Sequence, residues 1–299
     1  SRSEDEKKAG EFHSFRGDLE SMAEFIRLYT TRNERWLSPK FLAGESYGAF
    51  RAAGLANTLH DKFGLYLNGI VLVSGVLSFD TLWGGDLAFT TSQSPLAEIE
   101  RAVGQVLERK AQVLLLGGDH AVTPAVLRAY HRQYGQINLL QFDAHPDLYD
   151  VFEGNPNSHA CPFARIMEEK RVKRLVQVGI RTMNPHQQEQ AERFGVEVIP
   201  MKAWRPGMVL HFDGPLYISF DMDALDPAFA PGVSHHEPGG LSTRDVLSVI
   251  QDIGAPVIRA DIVEFNPLRD TSGMTAMVAA KLLKELASSM VNGLSARGQ

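Results

Sequence analysis

The most informative stretch of the chain is Ile137–Asp147, which reads INLLQFDAHPD. Ile137–Phe142 is short and mostly apolar, as expected of a buried strand. Directly after it, Asp143, His145 and Asp147 alternate, so a near-extended backbone directs their side chains to one side. The stretch therefore predicts a buried strand that ends in possible metal ligands.

Two further blocks repeat this arrangement of an apolar strand followed by polar ligands. Val113–Leu116 leads into Gly117–His120, and Leu216–Phe220 leads into Asp221–Asp226. In an open α/β sheet the carboxyl ends of the strands border one crevice, so blocks that are far apart in sequence can converge there. The candidate metal ligands are His120, Asp143, His145, Asp147, Asp221 and Asp223.

Strand and helix patterns alternate through this part of the chain, which predicts an α/β fold with three αβα layers and a mostly parallel sheet. Ser242 with Asp245 resembles a capping box, and Thr123-Pro124 has the form of a helix N-terminus. The other expected elements are strands at Leu175–Ile180, Val196–Ile199 and Val257–Val263, and a last helix at Thr275–Leu286.

Composition excludes several functional classes. The chain has 299 residues and a net charge of -6, with acidic and basic residues in mixed order, which argues against binding to nucleic acid or to a membrane surface. Cys161 is the only cysteine, so no internal disulfide and no thiolate zinc site is expected. No apolar run is long enough to span a bilayer, and Ser1–Gly10 is too charged for a secretory signal, so a cytoplasmic location is expected.

The first part of the chain carries a different motif. The strand Phe41–Ala43 precedes Gly44–Gly48, and the helix Ala49–His60 and the strand Gly69–Val73 follow. Gly-x-Ser-x-Gly between a strand and a helix has the form of a nucleophile elbow, with Ser46 as the exposed serine. Residues 12–82 resemble part of a serine carboxypeptidase, and the resemblance implies an α/β-hydrolase type of βαβ segment. A serine hydrolase that uses Ser46 is therefore an alternative function.

From about residue 85 onward, the chain resembles the ureohydrolase family of arginases and agmatinases, with the plant-type arginases nearest. The three ligand blocks carry this resemblance, together with Glu153–Asn155, Ser158–Ala160, Phe163–Glu168, Asp221–Pro238 and Asp261–Pro267. We therefore expect a carboxypeptidase-like segment at residues 1–84 and a ureohydrolase-like domain at 85–299. The βαβ unit of the first segment is expected to cover the sheet edge at Val113–Leu116, which would otherwise expose unpaired backbone groups.

The resemblance also implies a chemistry and roles for individual residues. His120 and Asp147 would bind one ion, His145 and Asp223 the other, and Asp143 and Asp221 both. Carboxylates mixed with imidazoles suit two Mn²⁺ ions, with Ni, Co, Fe or Zn as other possibilities.

The implied reaction is hydrolysis of a small cationic guanidino compound, such as arginine or agmatine, to urea and an amine. Asp147, His159 and Glu264 are the expected catalytic residues, and a homotrimer or homohexamer is the expected assembly. Either His235 or His236 could approach the substrate, and the sequence leaves this choice open. The other alternative is a catalytically inactive mosaic that binds metal or is purely structural.

Overall fold

One parallel sheet organises the described part of the chain. This computed structural model describes residues 15–38, 40–45, 47–67, 69–73, 93–109 and 112–295. Within these ranges, eight strands pair in parallel in the order β1-β2-β3-β8-β7-β4-β5-β6. Their bounds are β1 Phe41–Glu45, β2 Gly69–Val73, β3 Gln112–Leu116, β4 Ile137–Phe142, β5 Val172–Ile180, β6 Glu197–Pro200, β7 Leu216–Asp221 and β8 Val257–Val263.

Helices lie between most consecutive strands, as is usual for parallel pairing, whereas residues 201–215 between β6 and β7 form no helix. In chain order the helices are α1 Phe15–Arg32, α2 Tyr47–Phe63, α3 Gln93–Glu108, α4 Val122–Tyr134, α5 Pro162–Glu168, α6 Pro185–Phe194, α7 Thr243–Asp252 and α8 Met274–Ser295.

Local sequence explains where several helices begin and end. The capping box at α7 is confirmed, because Ser242 Oγ accepts from the backbone N–H of Asp245 while the Asp245 carboxylate accepts from that of Ser242. At α6, Asn184 Oδ1 accepts from the backbone N–H of Gln187, and Gly195 ends that helix with a left-handed φ of 66°. The helix start predicted at Thr123-Pro124 is displaced, since α4 already begins at Val122 and has no side-chain cap.

The sheet separates two apolar cores, which gives the three layers that the sequence predicts. Residues of α3, α4 and α5 pack on one face, where Val103, Val126 and Phe163 are buried. Residues of α7 and α8 pack on the other face, where Val246 and Leu282 are buried. Both faces of the central strands are therefore covered, as is usual for parallel sheets.

The edge of the sheet beside β3 is covered by the βαβ unit, as predicted. Strand β2 pairs in parallel with β3 from Gly69↔Gln112 to Val73↔Leu116, and β1 extends the sheet by one more strand. The division predicted between residues 84 and 85 lies outside the described residues and stays a prediction. None of the described helices is long and apolar enough to cross a membrane.

Candidate metal centre

The ligand blocks meet because the strands that carry them are neighbours. Strands β3, β8, β7 and β4 are consecutive in the sheet, so their carboxyl ends lie side by side. His120 follows β3, Asp143 to Asp147 follow β4, and Asp221 ends β7. Gly179 on β5 permits the close approach behind the second block, because a Cβ there would lie 2.8 Å from the carbonyl oxygen of Asp143. Convergence of the three blocks at one end of the sheet is thus observed.

The first group of ligands surrounds the side chain of His120. Its Nδ1 lies 3.2 Å from Asp143 Oδ2, 3.2 Å from Asp147 Oδ2 and 3.3 Å from Asp221 Oδ2. All four residues are buried, and no hydrogen bond to Nδ1 is found within the described residues. A buried nitrogen without a partner, facing three carboxylate oxygens, is the donor arrangement that a cation would complete.

The second group of ligands surrounds the side chain of His145. Its Nδ1 lies 3.1 Å from Asp223 Oδ2 and 3.5 Å from Asp143 Oδ1. Asp143 therefore turns one oxygen towards each histidine and is a member of both groups that could hold an ion. All six ligands predicted from the sequence are thereby brought together, with Asp221 joined through its contact with His120.

A buried chain of hydrogen bonds orients His120. Its Nε2 lies 2.9 Å from Ser219 Oγ, which in turn donates to Asp261 Oδ1 at 2.7 Å. The other oxygen of Asp261, Oδ2, accepts hydrogen bonds from the hydroxyl groups of Tyr217 and Thr123. Because the Ser219 hydroxyl donates its hydrogen bond to Asp261, its oxygen accepts a hydrogen bond from the N–H at His120 Nε2. The Nδ1 atom of His120 then carries the lone pair that can bind an ion.

Sequence reasoning missed this chain of hydrogen bonds. The sequence predicts a helix N-terminus at Thr123-Pro124, whereas in the structure the Thr123 hydroxyl donates a hydrogen bond to Asp261. One signal was available, since Arg259 and Asp261 are the charged residues of the otherwise apolar strand VIRADIV. A buried acid in such a strand requires partners.

The site is strongly acidic without a cation. Burial, followed by the charge of Asp143, raises the pKa of Asp147 to about 7. Burial, followed by the charges of Asp223 and Asp143, raises the pKa of Asp221 well above its usual range. Burial lowers the pKa of His145, but hydrogen bonds with Asp143 and Asp223 outweigh it and raise this pKa to about 12. Each shift adds positive charge or removes negative charge, so the site favours binding of cations.

Glu264 stands at the edge of the first group, directly after β8. It has a left-handed φ of 63°, its N–H donates to the carbonyl of Gly118 at 2.8 Å, and its Oε1 accepts from the backbone N–H of His120 at 3.0 Å. Burial, followed by the charge of Asp119, raises the pKa of Glu264 to about 8. The carboxylate is therefore held in place beside the ligands, where a cationic partner would favour its charged form.

His159 reaches the site from the loop after β4. Its ring stacks on that of His235, with centroids 5.8 Å apart and an interplanar angle of 17°. Burial, followed by the charge of His235, lowers the pKa of His159. His235 also lies near His145 of the second ligand group, with ring centroids 6.0 Å apart. His236 instead places its Nε2 2.7 Å from the carbonyl oxygen of Pro231.

Two other acidic residues of the blocks accept hydrogen bonds from nearby backbone N–H groups. Asp119 Oδ1 accepts from the N–H of Ala121, and Asp226 accepts from the N–H groups of Ala228, Gly239 and Gly240. Sequence reasoning gave no role to Arg181, which donates to the carbonyl oxygens of Asp223 and Glu237 and so supports the third block. Ser46 lies outside the described residues.

Known proteins resemble this chain over most of its length. A model described as the arginase family matches residues 68–288. Mitochondrial arginase 1 of Arabidopsis thaliana is 52% identical over 200 residues, which cover 64% of this chain and 58% of that protein. The mitochondrial guanidino acid hydrolase of Homo sapiens is 33% identical over 277 residues, which cover 83% of this chain and 78% of that protein.

A solved structure agrees with these sequence relatives. The arginase from Medicago truncatula has a TM-score of 0.67 and 34% identity, and the match covers 91% of this chain and 93% of that chain. The chain spans a little over half the length of the curated plant arginases it matches. These matches, which take in part of residues 1–84, give no support to the carboxypeptidase resemblance of residues 12–82.

The expected cytoplasmic location is wrong by this comparison. The matching arginase 1 of Arabidopsis thaliana and the arginase of Medicago truncatula are named mitochondrial, and arginase 2 of Arabidopsis thaliana is named chloroplastic or mitochondrial. The expectation rested on the charge of residues 1–10 and on the lack of a long apolar run. Neither property distinguishes the cytosol from the interior of an organelle, which explains the error.

Proposed function

This chain belongs to the arginase family, and we propose that it hydrolyses a guanidino compound to urea and an amine with the help of two Mn²⁺ ions. The observation that carries the proposal is the pair of ligand groups that share Asp143. One group contains His120 and Asp147, and the other contains His145 and Asp223. Two adjacent cations suit hydrolysis, because together they can polarise the electrophile and activate water.

The residues present fit two divalent ions. His120 and Asp147 would hold one ion, His145 and Asp223 the other, and Asp143 and Asp221 would contact both. Oxygen and imidazole donors without thiolate suit Mn²⁺, while Ni, Co, Fe and Zn are the less specific choices. When bound, the ions would balance the four carboxylates and lower the pKa of water, so that it attacks near neutral pH.

Glu264 binds the guanidinium group in this proposal. A carboxylate can pair with two nitrogens of a planar cation at once, which also orients the carbon for attack. Burial raises the pKa of Glu264 to about 8, and the positive charge of a bound guanidinium would lower it again, so the carboxyl ionises as the cation binds. The hydrogen bond from the His120 backbone N–H keeps the carboxylate next to the ligands.

Asp147 and His159 handle the protons. Water adds to the guanidinium carbon, the bond from this carbon to the substituted nitrogen breaks, and the products are urea and the amine. Asp147, a carboxylate of the first ligand group, takes a proton from the water. His159 passes a proton to the leaving nitrogen, and its lowered pKa favours that release.

Arginine, agmatine, guanidinobutyrate and free guanidine are the proposed substrate candidates. The loop after β4, residues 148–160, borders the site and is expected to recognise the far end of the substrate. It has a defined shape, because Phe152 and Asn155 exchange backbone hydrogen bonds and Glu153 has a φ of 49°. We propose a homotrimer or homohexamer as the active assembly.

A urea assay tests the proposal. Purified protein is loaded with Mn²⁺, and urea release from each candidate substrate is measured before and after chelation. We expect release that stops on chelation and returns when Mn²⁺ is added. The variant Asp147→Asn should lose turnover, whereas Asp213→Asn, at an exposed residue paired with Lys173, should keep it. Binding of two ions without urea release from any candidate would instead favour the inactive metal-binding alternative.

A further inference from the structure

Imidazole and phenyl rings form a row above the second ligand group. The rings of His145 and His235 are 6.0 Å apart with an interplanar angle of 80°, so they meet edge to face. His235 then stacks on His159 at 5.8 Å and 17°, and His159 meets Phe152 at 6.0 Å and 67°. His159 is therefore enclosed between an edge contact with Phe152 and a face contact with His235.

The loop that carries His235 is fixed on both sides of this residue. On one side, Ser234 Oγ accepts a hydrogen bond of 3.0 Å from Asn266 Nδ2. On the other side, the carbonyl oxygen of Glu237 accepts two hydrogen bonds from the guanidinium of Arg181, at 2.8 and 2.6 Å. A side chain on a backbone held in this way has a defined position, which is what orienting a neighbouring ring requires.

The next residue in the chain provides a natural comparison. His236 is exposed like His235, but its Nε2 donates to the carbonyl oxygen of Pro231 at 2.7 Å, and its Nδ1 lies 3.5 Å from Arg269. Of these two neighbouring histidines, His235 is thus the one that stacks on His159.

We propose that His235 is a positioning residue that holds the ring of His159 over the metal centre. The idea rests on the proposed function in one respect, namely that His159 delivers the proton to the leaving amine. A proton donor that rotates freely spends less time aligned with the leaving nitrogen, and a misplaced donor lowers the rate of the chemical step more than it affects binding. The stacked face of His235 supplies the restraint, and its own protonation is not required.

Kinetics of three variants test the proposal. His235→Ala removes the stacked face, His235→Phe keeps a flat ring, and His236→Ala is the matched control. We expect His235→Ala to lower kcat about tenfold, because this factor corresponds to the upper range of the interaction energy of a stacked aromatic pair. KM should change by less than about twofold. His235→Phe should recover kcat to within about threefold of the parent, and His236→Ala should stay within about twofold.

Metal content and crystal structures supply readouts that do not depend on turnover. His235→Ala should keep the metal content of the parent, and its His159 ring should leave the stacked position. The ring should stay in place in His235→Phe and in His236→Ala. Equal kcat for His235→Ala and His236→Ala, loss of metal from His235→Ala, or an unmoved His159 ring would each overturn the proposal. If the parent protein released no urea, the proposed function would fail, while the crystal structures would still decide whether His235 holds His159.

Discussion

The substitution Asp143→Asn is expected to impair binding of both ions at once. Asp143 is buried, and its Oδ2 lies 3.2 Å from His120 Nδ1 while its Oδ1 lies 3.5 Å from His145 Nδ1. Asparagine has nearly the same shape but carries no charge and offers one oxygen. One of the two ligand groups would therefore face an amide NH₂, which cannot bind a cation.

The magnitude follows from the number of contacts that are lost. A charge-assisted contact is worth about 1.5–3 kcal/mol, so weakening one at each group costs about 3–6 kcal/mol in total. This corresponds to about a 10²- to 10⁴-fold loss of metal affinity. The same two oxygens accept hydrogen bonds from Gln141 Nε2 and from the N–H of His145, both at 2.7 Å, so the amide NH₂ would also oppose one of these donors.

Metal titration monitored by calorimetry, together with metal analysis after dialysis, measures the effect. Asp213→Asn is the control, since this exposed carboxylate makes its ion pair with Lys173 away from the ligands. Thermal unfolding in a chelator shows separately how far the substitution weakens the metal-free fold. An Asp143→Asn protein that binds two ions with the parent's affinity and releases urea at the parent's rate would refute the assignment of Asp143 to both groups.

Four further predictions concern single features of the structure. Ser219→Ala should lower metal affinity about 10- to 100-fold in the same titration, because it removes the hydrogen bond that orients His120. Gly179→Ala should lower the free energy of unfolding in chemical denaturation by about 2–4 kcal/mol, since Gly179 has a φ of 100° and a Cβ there would be crowded. The control Gly254→Ala should have a small effect, because a Cβ on Gly254 would meet no other atom within 4 Å. In the chelated protein, burial raises the pKa of Asp147 from 3.8 to about 7. The protonated group therefore stabilises the fold at low pH, and this contribution is lost as the pH rises through about 7. Between about pH 5 and about pH 8, the Tm of the chelated protein should fall more than that of the metal-loaded protein. Ser46→Ala should leave urea release within about twofold of the parent, and complete loss would show that this serine is used.

The sequence predicted those features that depend on local pattern. The bounds of the strands at Gly69–Val73, Ile137–Phe142 and Val257–Val263 agree with the structure, because each is a short and mostly apolar run. The six candidate metal ligands were predicted for the same reason, since each lies within five residues of the end of such a run. The edge pairing of Gly69–Val73 with β3 followed from the need to cover an exposed strand.

Features that depend on strand order could not be predicted in this way. Ser219 meets Asp261 because β7 and β8 are neighbours whose register pairs these two residues directly. The two positions are 42 residues apart in sequence, and nothing in either local pattern indicates the pairing. The contacts of Arg181 with the third block and of His235 with His159 likewise depend on how separate loops are folded together at the end of the sheet.

Anomalous diffraction from crystals grown with Mn²⁺ would locate the ions themselves. We predict two anomalous peaks at the carboxyl end of the sheet, one between His120 and Asp147 and the other between His145 and Asp223, with Asp143 in contact with both. A single peak, peaks elsewhere on the molecule, or no peak at a saturating Mn²⁺ concentration would show that these residues do not form a two-metal site.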